Sequence, residues 1–432
     1  MKRAFETVSV VGLGYIGLPT AAVMASRGLN VVGVDVSPRA VNAINSGHAH
    51  FFEPELDALV KKAVDEGRLR AVTQPEPAEA FIIAVPTPVA KDHAPDLSYV
   101  EAAAASIAPV LEKGNLIILE STSPVGTTEM LSQKLASLRP DLTFAREQQE
   151  EADILLAYCP ERIIPGHMVT ELLENDRIIG GLSEASTEAA TRLYGLFVQG
   201  QLVPTTSRTA EMVKLTENAF RDVNIAFANE LSKLCDKFGI DAWDVVELAN
   251  HHPRVKVLQP GPGVGGHCIA VDPWFIIHAA EGLAPLMQTA REVNDSKPHY
   301  VVERVLSMAR PGDTIVCLGL AYKADTDDLR ESPAVEVVEA LAARHPGRVL
   351  AVEPNVKELP LSLTDAGVRQ AELEAALGSA QVTVLLVDHR QFRALDPAIL
   401  EGKKVCDTRG VWPQYRAHHG EQVRIPLLRA AS

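Results

Sequence analysis

The stretch Thr7-Val-Ser-Val-Val-Gly12-Leu-Gly-Tyr-Ile-Gly17 decides how this chain begins to fold. Its first five residues, Thr7–Val11, are mostly apolar and β-branched, which predicts a buried strand. The glycines at positions 12, 14 and 17 predict a tight turn, and Leu18–Arg27 has the composition of a helix that starts directly after it. The chain therefore begins with a strand, a glycine turn and a helix.

Asp35, which ends the next predicted strand Val31–Val34, makes this glycine pattern specific. Glycine spacings occur by chance, but this order of elements with an acidic residue at its end is the dinucleotide-binding fingerprint. Gly12 and Gly14 let the backbone approach a pyrophosphate, which the helix N–H groups attract, and Gly17 permits close packing. The Asp35 carboxylate can accept hydrogen bonds from a ribose diol and would repel a 2′-phosphate, so NAD is the expected cofactor. The alternative is a glycine turn that binds no ligand.

The alternation of strands and helices continues along the chain and then repeats. Phe81–Val85 and Leu116–Leu119 predict further strands of the first domain. A second set of short apolar runs begins near Asp313, and each run is followed by polar residues. The second set consists of Thr314–Leu318, Val349–Val352, Val382–Val387 and Lys404–Cys406, followed by Lys323, Glu353–Asn355, Asp388 with His389, and Asp407–Arg409. Because open α/β sheets bind ligands beyond the carboxyl ends of their strands, these polar residues predict a second binding domain.

One long amphipathic helix separates the two sets of strands. It is predicted to run from the N-cap Thr209 to Phe238, with Glu211 in its first turn and Gly239 as its stop. Its apolar residues more than fill one stripe, so part of it is expected to pack against another subunit. The predicted fold is an α/β protein with two doubly wound, Rossmann-like domains joined by a long central helix. The predicted boundaries enclose residues 1–205, 206–305 and 306–432.

Composition narrows the functional class without defining the chemistry. The formal net charge of −15 argues against nucleic acid as a partner, because phosphate binding needs basic surfaces. No apolar run reaches the roughly 18 to 20 residues that span a bilayer, and no signal peptide precedes the first strand, so a cytoplasmic protein is expected. The five cysteines are scattered, and no pair has the spacing of metal ligands.

A second glycine loop, Gly261-Pro-Gly-Val-Gly-Gly-His-Cys268, ends in one of these cysteines. Such a loop exposes the thiol and brings backbone N–H groups near it, which favours the thiolate. Thiolate is the form that attacks an aldehyde carbon, so Cys268 is the candidate nucleophile. A buried structural role is the alternative for any single cysteine. The other four cysteines (Cys159, Cys235, Cys317 and Cys406) lie in strand or helix patterns and are expected to be core residues.

Several polar residues could support this thiol, and each has a plain structural alternative. Asp272 either caps the helix that begins at Pro273 or handles protons near the thiol. Lys214, Asn218 and Arg221 share one helical face, which is either solvated or turned toward a cleft where a desolvated lysine exchanges protons.

The loops after the strands of the first domain add three more candidates. Glu161, in Cys159-Pro-Glu-Arg162 after the predicted strand Ile154–Ala157, is a candidate acid or base. Thr87 and Thr128 either reach the cofactor or cap the helices that follow them.

Taken together, these motifs resemble the UDP-glucose/GDP-mannose dehydrogenase family over essentially the whole chain. The motifs are Gly12-Leu-Gly-Tyr-Ile-Gly17, Pro160-Glu-Arg162, Lys214-Leu-Thr-Glu-Asn-Ala-Phe-Arg-Asp-Val-Asn224, His252-Pro-Arg254, Gly263-Val-Gly-Gly-His-Cys-Ile-Ala-Val-Asp272, Ala321-Tyr-Lys323 and Asp328-Leu-Arg-Glu-Ser-Pro333. The resemblance implies a four-electron, NAD-dependent oxidation of a nucleotide sugar at C6. The alcohol becomes an aldehyde, Cys268 holds it as a thiohemiacetal, a second oxidation gives a thioester, and water releases the acid.

The resemblance also implies a role for each matching residue. Cys268 is the nucleophile, Lys214 acts on the substrate oxygen, and Glu161, Asn218 and Asp272 are the supporting acid, base and water-positioning groups. The implied cofactor positions are Gly12, Gly14, Tyr15, Ile16, Gly17, Asp35, Thr87, Thr128 and Arg330. The implied nucleotide-sugar positions are Arg162, Ile163, Lys214, Asn218, Arg221, His252, Arg254, Gly265, Tyr322, Lys323 and Arg409. The expected assembly is a homodimer in which Arg254 reaches the partner's site.

Two departures from the UDP-glucose pattern of the family bear on the substrate. Arg221 stands where an apolar residue is usual, and Ile269-Ala-Val271 replaces a Phe-Pro-Lys type of run. Both match the branch that oxidises UDP-N-acetyl-D-mannosamine to UDP-N-acetyl-D-mannosaminuronic acid for bacterial surface polysaccharides. UDP-N-acetylglucosamine and UDP-glucose are the alternative substrates. The three regions are then expected to bind NAD, to carry the dimer interface and catalytic residues, and to bind UDP.

Two other classes of protein explain fewer of these residues. A single-step alcohol dehydrogenase leaves the exposed-thiol motif around Cys268 without a role. A cofactor-binding module without turnover does not need Lys214, Asn218 and Arg221 on one helical face.

Overall fold

A computed structural model describes residues 5–51, 53–90, 92–146, 151–164, 166–266 and 268–416 of the chain. Residues 147–150, and His267 of the second glycine loop, lie outside the described residues. The chain forms two compact units. The first contains the residues up to Glu217 together with Trp274–Glu281, and the second contains Asn218–Pro273 together with the residues from Gly282 onward. The boundaries predicted at 205 and 305 stay a prediction.

The first unit is built on an eight-stranded sheet. Its strands are β1 (Thr7–Val11), β2 (Asn30–Val34), β3 (Leu69–Val72), β4 (Ala80–Ile83), β5 (Leu116–Leu119), β6 (Leu155–Tyr158), β7 (Arg177–Gly181) and β8 (Leu202–Thr206). The strand order is β3-β2-β1-β4-β5-β6-β7-β8, and the pairing is parallel except between β6 and β7. The order of the first six strands is that of a doubly wound dinucleotide fold.

Helices follow most of these strands and cover the sheet. They are α1 (Gly17–Ser26), α2 (Pro38–Asn45), α3 (Leu56–Asp65), α4 (Ser98–Ile107), α5 (Thr127–Leu138), α6 (Met168–Glu174) and α7 (Glu184–Tyr194). A parallel sheet covered on both faces has no solvated side, and β4 and β5 are accordingly buried at every residue. The helices and strands pack into two apolar clusters of buried residues.

The long central helix, α8 (Ser207–Phe238), has 32 residues. It begins two residues before the predicted start, and the Thr206 hydroxyl accepts a hydrogen bond from the Thr209 N–H over 3.3 Å. Thr206 therefore caps the helix, and the prediction of Thr209 as its N-cap is wrong. The predicted stop is confirmed, because Gly239 follows α8 with a φ of +68°.

The second unit is built on a five-stranded parallel sheet. Its strands are β9 (Thr314–Leu318), β10 (Arg348–Val352), β11 (Arg369–Gln370), β12 (Val382–Leu385) and β13 (Lys404–Asp407), in the order β11-β10-β9-β12-β13. The helices after α8 are α9 (Ala242–Ala249), α10 (Asp272–Ala279), α11 (Pro285–Asp295), α12 (Lys297–Met308), α13 (Pro333–Arg344), α14 (Leu361–Asp365), α15 (Leu373–Ser379) and α16 (Arg390–Arg393). The predicted fold class of two Rossmann-like domains and a long central helix is confirmed.

The turn after the first strand is built in the same way in both sheets. In the first sheet the Gly12 N–H donates to the Val34 carbonyl over 2.8 Å, and in the second the Gly319 N–H donates to the Val352 carbonyl over 2.9 Å. Both glycines have a φ of +90°, which residues with side chains rarely adopt. The repeat predicted between the two domains therefore extends to individual hydrogen bonds.

Across the described ranges, no helix combines the length and the apolar character needed to cross a bilayer.

A cluster of polar side chains is buried where β5 and β6 end. Glu120 follows β5, and its carboxylate accepts a hydrogen bond from the Tyr194 hydroxyl over 2.5 Å. Glu161 follows β6 and forms an ion pair with Arg177, the first residue of β7. Burial raises the pKa of Glu120 to about 7, because the nearby Arg177 cation only partly offsets the loss of hydration and the Glu161 charge opposes ionisation.

We predict that Glu120→Gln makes the stability of the protein less sensitive to pH. The folded state keeps the Glu120 proton up to about pH 7, whereas the unfolded chain releases it near 4.5. This group therefore stabilises the fold fully below pH 4.5, and its contribution is lost as the pH rises through 7. Glutamine never ionises, so the variant should gain about 1 to 3 kcal/mol relative to the wild type across this range.

Urea unfolding of both proteins at a series of pH values measures this difference. Glu188→Gln is the matched control, because Glu188 lies on α7 with 65% of its side chain exposed and should leave the pH profile unchanged. Parallel profiles for Glu120→Gln and the wild type would contradict the prediction.

Candidate active site

The three glycines of the first glycine turn are needed for different structural reasons. A Cβ at Gly12 would lie 2.5 Å from the Ala84 carbonyl oxygen, and one at Gly17 would lie 1.8 Å from the Gly12 carbonyl oxygen. Packing alone therefore requires glycine at these two positions. A Cβ at Gly14 would meet no described atom within 4 Å. Packing against described protein atoms therefore does not explain why position 14 is a glycine. Close approach of the backbone to a pyrophosphate would explain it.

Asp35 stands next to this turn with its carboxylate held by backbone donors. One oxygen accepts from the Leu13 N–H over 3.0 Å, and the other accepts from the Ser37 N–H over 2.8 Å. The residue is partly exposed, and each carboxylate oxygen has a second lone pair for a ribose hydroxyl. Helix α1 starts after Ile16 without a side-chain cap, so its N–H groups can receive an anion. These residues fit the ribose and pyrophosphate of a dinucleotide.

The other predicted cofactor residues of this domain are engaged within the protein. The exposed Tyr15 ring lies 4.4 Å from the Phe51 ring, centroid to centroid. The Thr87 hydroxyl donates to the Thr122 carbonyl over 2.6 Å. The buried Thr128 hydroxyl donates to Glu211 over 2.6 Å. Direct contact of these side chains with a cofactor stays a prediction.

Glu211 has a role that the sequence did not reveal. Its carboxylate accepts from the Gly126 and Thr128 N–H groups over 2.6 and 2.8 Å. It therefore caps the N-terminus of α5 while lying on α8, and it is fully buried. The sequence places Glu211 only in the first turn of its own helix, because a contact 83 residues away leaves no local pattern.

Glu161 and the residues after it form the polar end of β6. One Glu161 oxygen accepts from the Arg162 N–H over 2.6 Å, and the other pairs with Arg177. The Arg162 guanidinium donates to Glu217 over 2.9 Å. Both oxygens of the candidate acid or base are thus held in a buried position. Arg177 was not predicted, because a cation at the start of a strand gives the sequence signal of a surface residue.

Cys268 lies in the turn that leads into α10. Its carbonyl oxygen accepts from the Val271 and Asp272 N–H groups over 3.1 and 2.8 Å. All five cysteines lie in the described part of the chain, and only Cys268 is exposed. Burial raises the pKa values of the other four thiols, to about 11 for Cys406. The predicted contrast between one accessible thiol and four core thiols agrees with the structure.

Asp272 and Asn218 are brought together in the second unit. Asp272 is buried and is the first residue of α10, and its carboxylate accepts a hydrogen bond from the Asn218 amide. The pair joins residues 54 positions apart, and Asp272 lies four residues after Cys268. The predicted supporting groups Asn218 and Asp272 are therefore neighbours.

The second glycine loop is crowded by residues that follow strands β9 and β13 of the second sheet. A Cβ at Gly266 would lie 3.0 Å from the Tyr322 ring, and one at Gly265 would lie 2.4 Å from the Glu331 carbonyl oxygen. A Cβ at Gly261 would lie 2.6 Å from a guanidinium nitrogen of Arg409. Because these positions have no side chain, the loop backbone can approach Tyr322 and Arg409, which are predicted to bind the nucleotide sugar.

The remaining predicted site residues are mostly exposed. Arg330 pairs with Asp328 through two hydrogen bonds of 2.8 and 2.6 Å. The Arg254 N–H donates to the His252 ring over 3.3 Å. Lys323 and Arg221 are exposed, and Lys214 is half-buried. The described part of the chain contains no group of three or more His, Cys, Asp or Glu residues that could hold a metal ion.

The predicted site residues belong to both compact units. The first contains the glycine turn, Asp35, Thr87, Thr128, Glu161 to Ile163 and Lys214. The second contains Asn218, Arg221, His252, Arg254, Gly265, Cys268, Asp272, Tyr322, Lys323, Arg330 and Arg409.

Comparison with known proteins identifies the family. Three successive segments match the UDP-glucose/GDP-mannose dehydrogenase family, namely its NAD binding domain over residues 6–198, its central domain over 208–296 and its UDP binding domain over 316–414. The chain is 60% identical over 414 residues to the NDP-N-acetyl-D-galactosaminuronic acid dehydrogenase of Ralstonia nicotianae, covering 95% of this chain and 97% of the relative. It is 57% identical over 419 residues to the UDP-N-acetyl-D-mannosamine dehydrogenase of Yersinia pestis, covering 95% and 100%.

A solved structure gives the same result. The UDP-N-acetyl-mannosamine dehydrogenase of Staphylococcus aureus matches with a TM-score of 0.84 at 42% identity, over 94% of this chain and 95% of that one. The NAD binding domain of the family coincides with the glycine turn and Asp35, and its UDP binding domain covers the second sheet. The chain therefore belongs to the UDP-glucose/GDP-mannose dehydrogenase family and is an NAD-dependent nucleotide-sugar dehydrogenase.

Proposed function

We propose that this enzyme oxidises C6 of UDP-N-acetyl-D-mannosamine to the carboxylate, using two NAD⁺ and supplying UDP-N-acetyl-D-mannosaminuronic acid for a bacterial surface polysaccharide. The observation that carries this proposal is the exposed thiol of Cys268, in a glycine loop that leads to the buried Asp272 and its partner Asn218. A single oxidation to the aldehyde needs no thiol, whereas a second oxidation needs a group that holds the aldehyde.

Two relatives of nearly equal identity bear on the sugar. The mannosamine assignment is supported by Arg221, by Ile269-Ala-Val271 and by the relative from Yersinia pestis. The relative from Ralstonia nicotianae favours a second candidate, in which the product is NDP-N-acetyl-D-galactosaminuronic acid. The two candidates share the acetamido group and the oxidation at C6, and differ in the configuration of the ring.

The chemistry assigned to the chain's own residues is proton transfer and covalent capture. NAD⁺ held at the glycine turn and Asp35 would supply the hydride acceptor for C6 in each of the two oxidations. Lys214 exchanges the proton of the C6 oxygen in the first oxidation. The Cys268 sulfur then bonds to C6, and the carbonyl oxygen takes a proton to give a thiohemiacetal. Loss of the second hydride and of this proton leaves a thioester.

Hydrolysis restores the enzyme and needs a base for water. Water adds to C6, the bond from sulfur to C6 breaks, and the thiolate returns with release of the carboxylic acid. Asp272 is favoured as the base because it lies four residues from Cys268 and accepts from Asn218. Glu161 would need to exchange its Arg177 contact for water before it could act in the same way.

The surface of α8 supports a homodimer. Besides Met212, four large apolar residues of α8 are exposed, with 69% of Phe220, 59% of Phe227, 44% of Leu234 and 66% of Phe238 accessible. Their spacing of seven, seven and four residues keeps them on one side of the helix, which a second copy would cover. Arg254 is exposed after α9, and we assign it to the nucleotide sugar bound by the partner subunit.

A panel of nucleotide sugars tests the substrate assignment. We expect the highest kcat/KM with UDP-N-acetylmannosamine and two NADH formed per sugar consumed. The panel includes UDP-N-acetylgalactosamine, UDP-N-acetylglucosamine and UDP-glucose, and NADP⁺ serves as the control cofactor. A preference for the galactosamine sugar would select the second candidate, and a yield of one NADH per sugar would contradict the two-step reaction.

Cys268→Ser should stop the reaction before the second oxidation is complete. A serine hydroxyl is a far weaker nucleophile at neutral pH than a thiolate, so the aldehyde is not captured. Binding of NAD⁺ and of the UDP-sugar should change by less than about threefold, because neither needs the sulfur charge. Cys406→Ser is the control for loss of a buried thiol. Steady production of two NADH per sugar by Cys268→Ser would rule out the nucleophile assignment.

Mixing two inactive variants tests whether Arg254 is shared between subunits. A planar guanidinium can clamp phosphate or sugar oxygens through paired hydrogen bonds, so Arg254→Ala should weaken UDP-sugar binding by about tenfold or more and leave NAD⁺ binding unchanged. A mixed dimer of Arg254→Ala and Cys268→Ser subunits contains one site with both native residues. Activity should therefore return on mixing. If native mass spectrometry detects mixed dimers without activity, each subunit uses its own Arg254.

A further inference from the structure

Asp35 and Glu353 occupy equivalent places after the second strands of the two nucleotide folds. Asp35 accepts from the Leu13 N–H over 3.0 Å and from the Ser37 N–H over 2.8 Å. Glu353 accepts from the Leu320 N–H over 2.7 Å and from the Asn355 N–H over 3.0 Å. The turn before each carboxylate is also the same, as the glycine hydrogen bonds show. Glu353 is therefore where a dinucleotide-binding domain would have its ribose-binding carboxylate.

A side chain of the protein occupies the free face of Glu353. The Nε2 atom of His389 lies 3.0 Å from a Glu353 carboxylate oxygen, and both side chains are fully buried. Burial alone would raise the pKa of Glu353, but the hydrogen bonds from His389 and from the backbone hold it below its ordinary value. The carboxylate is thus ionised and has an imidazole partner where Asp35 offers a surface to a ribose.

The other nitrogen of His389 receives hydrogen bonds. Its Nδ1 atom lies 2.9 Å from the Asp325 N and 3.1 Å from the Asn355 amide nitrogen. A backbone N–H can only donate, so Nδ1 is an acceptor and the proton of the ring is on Nε2, facing Glu353. Asp325 has a φ of +58°, and its carboxylate accepts from the Arg390 N–H over 2.9 Å. The N–H group and the carboxylate of Asp325 are therefore both hydrogen-bonded to the segment that contains His389 and Arg390.

These contacts hold the segment Leu320–Asp325 through three of its backbone N–H groups. Glu353 also accepts from the Ala321 N–H over 3.1 Å, so Glu353 and His389 together hold Leu320, Ala321 and Asp325. Between these points lie Tyr322 and Lys323. The Tyr322 ring packs on Gly266, in the loop that ends at Cys268.

We propose that His389 and Glu353 are positioning residues for the nucleotide sugar, which set the segment Leu320–Asp325 so that Tyr322 and Lys323 meet the ligand. This inference rests on the proposed function and on the assignment of Tyr322 and Lys323 to the nucleotide sugar, which the family resemblance implies. His389 lies where a dinucleotide-binding domain would bind the ribose. In this domain the carboxylate equivalent to Asp35, Glu353, therefore orders a loop of the protein itself.

Titration of UDP and NAD⁺ onto the full-length enzyme tests the proposal. His389→Ala should weaken UDP binding about tenfold, because Asp325 loses its acceptor and Glu353 loses its donor in a buried place. It should also raise the KM of the nucleotide sugar by a similar factor. NAD⁺ affinity should stay within about twofold, since the cofactor residues of the first domain are untouched.

His389→Asn is the matched variant. An asparagine Oδ1 falls where the His389 Nδ1 stood and can accept from the Asp325 N–H, although the donor to Glu353 is lost. We expect it to recover UDP binding to within about threefold of the wild type, a recovery that would not follow if only the size of the buried side chain mattered. Glu353→Gln, which keeps the shape of the carboxyl group, serves as a second variant and should also weaken UDP binding selectively.

Each result decides one question. Equal UDP affinity of the wild type and His389→Ala overturns the inference, as does an equal loss in the Asn and Ala variants. A loss of NAD⁺ affinity as large as that of UDP shows general unfolding and also overturns it. If His389→Ala does not fold, unchanged UDP binding by Glu353→Gln overturns it instead. Failure of the wild type to bind UDP at all would instead reject the proposed function on which the inference rests.

Discussion

Both nucleotide folds depend on a carboxylate that collects backbone N–H groups from the turn after the first strand. Asp35 and Glu353 each tie the end of the second strand to that turn, and each turn is closed by a glycine N–H that donates to the last carbonyl of the second strand. Without these contacts the turn would leave buried donors unsatisfied, which costs about 1 to 3 kcal/mol for each group. The same arrangement of a carboxylate and backbone N–H groups then serves two purposes. At Asp35 it remains open to a ligand, and at Glu353 it is closed by an internal histidine.

Glycine determines how the loop before Cys268 packs. The loop before Cys268 has no side chains at 261, 263, 265 and 266, and the second domain fills that space with Tyr322, Arg409 and the backbone near Glu331. The position of the thiol is therefore set by the domain that binds the nucleotide. On the other side of Cys268 the chain passes directly into α10, where Asp272 is fixed by Asn218 of α8.

The strands with a mostly apolar pattern were predictable, and those without one were not. Thr7–Val11, Leu116–Leu119 and Thr314–Leu318 have the predicted bounds, because strands buried on both faces are continuous apolar runs. Strand β7 starts with a buried arginine, and β8 contains Pro204 and two threonines, so neither gives such a run. The candidate site residues were recognisable from motifs, but the pairs that hold them were not. Glu211 with Thr128 and Asn218 with Asp272 join positions far apart in the chain, and periodicity carries no information about such contacts.

Because Cys268 is exposed and the other four cysteines are buried, thiol labelling can distinguish folded from unfolded molecules. A bulky maleimide or an aromatic disulfide reagent reaches one sulfur in the native protein and all five once the chain is unfolded. The number of sulfurs modified per chain thus reports the fraction of molecules that are intact. Because the accessible sulfur is the one assigned to covalent capture, the same reagent also marks the molecules whose reactive centre is unoccupied, and a dye at that position would respond to the binding of a nucleotide sugar.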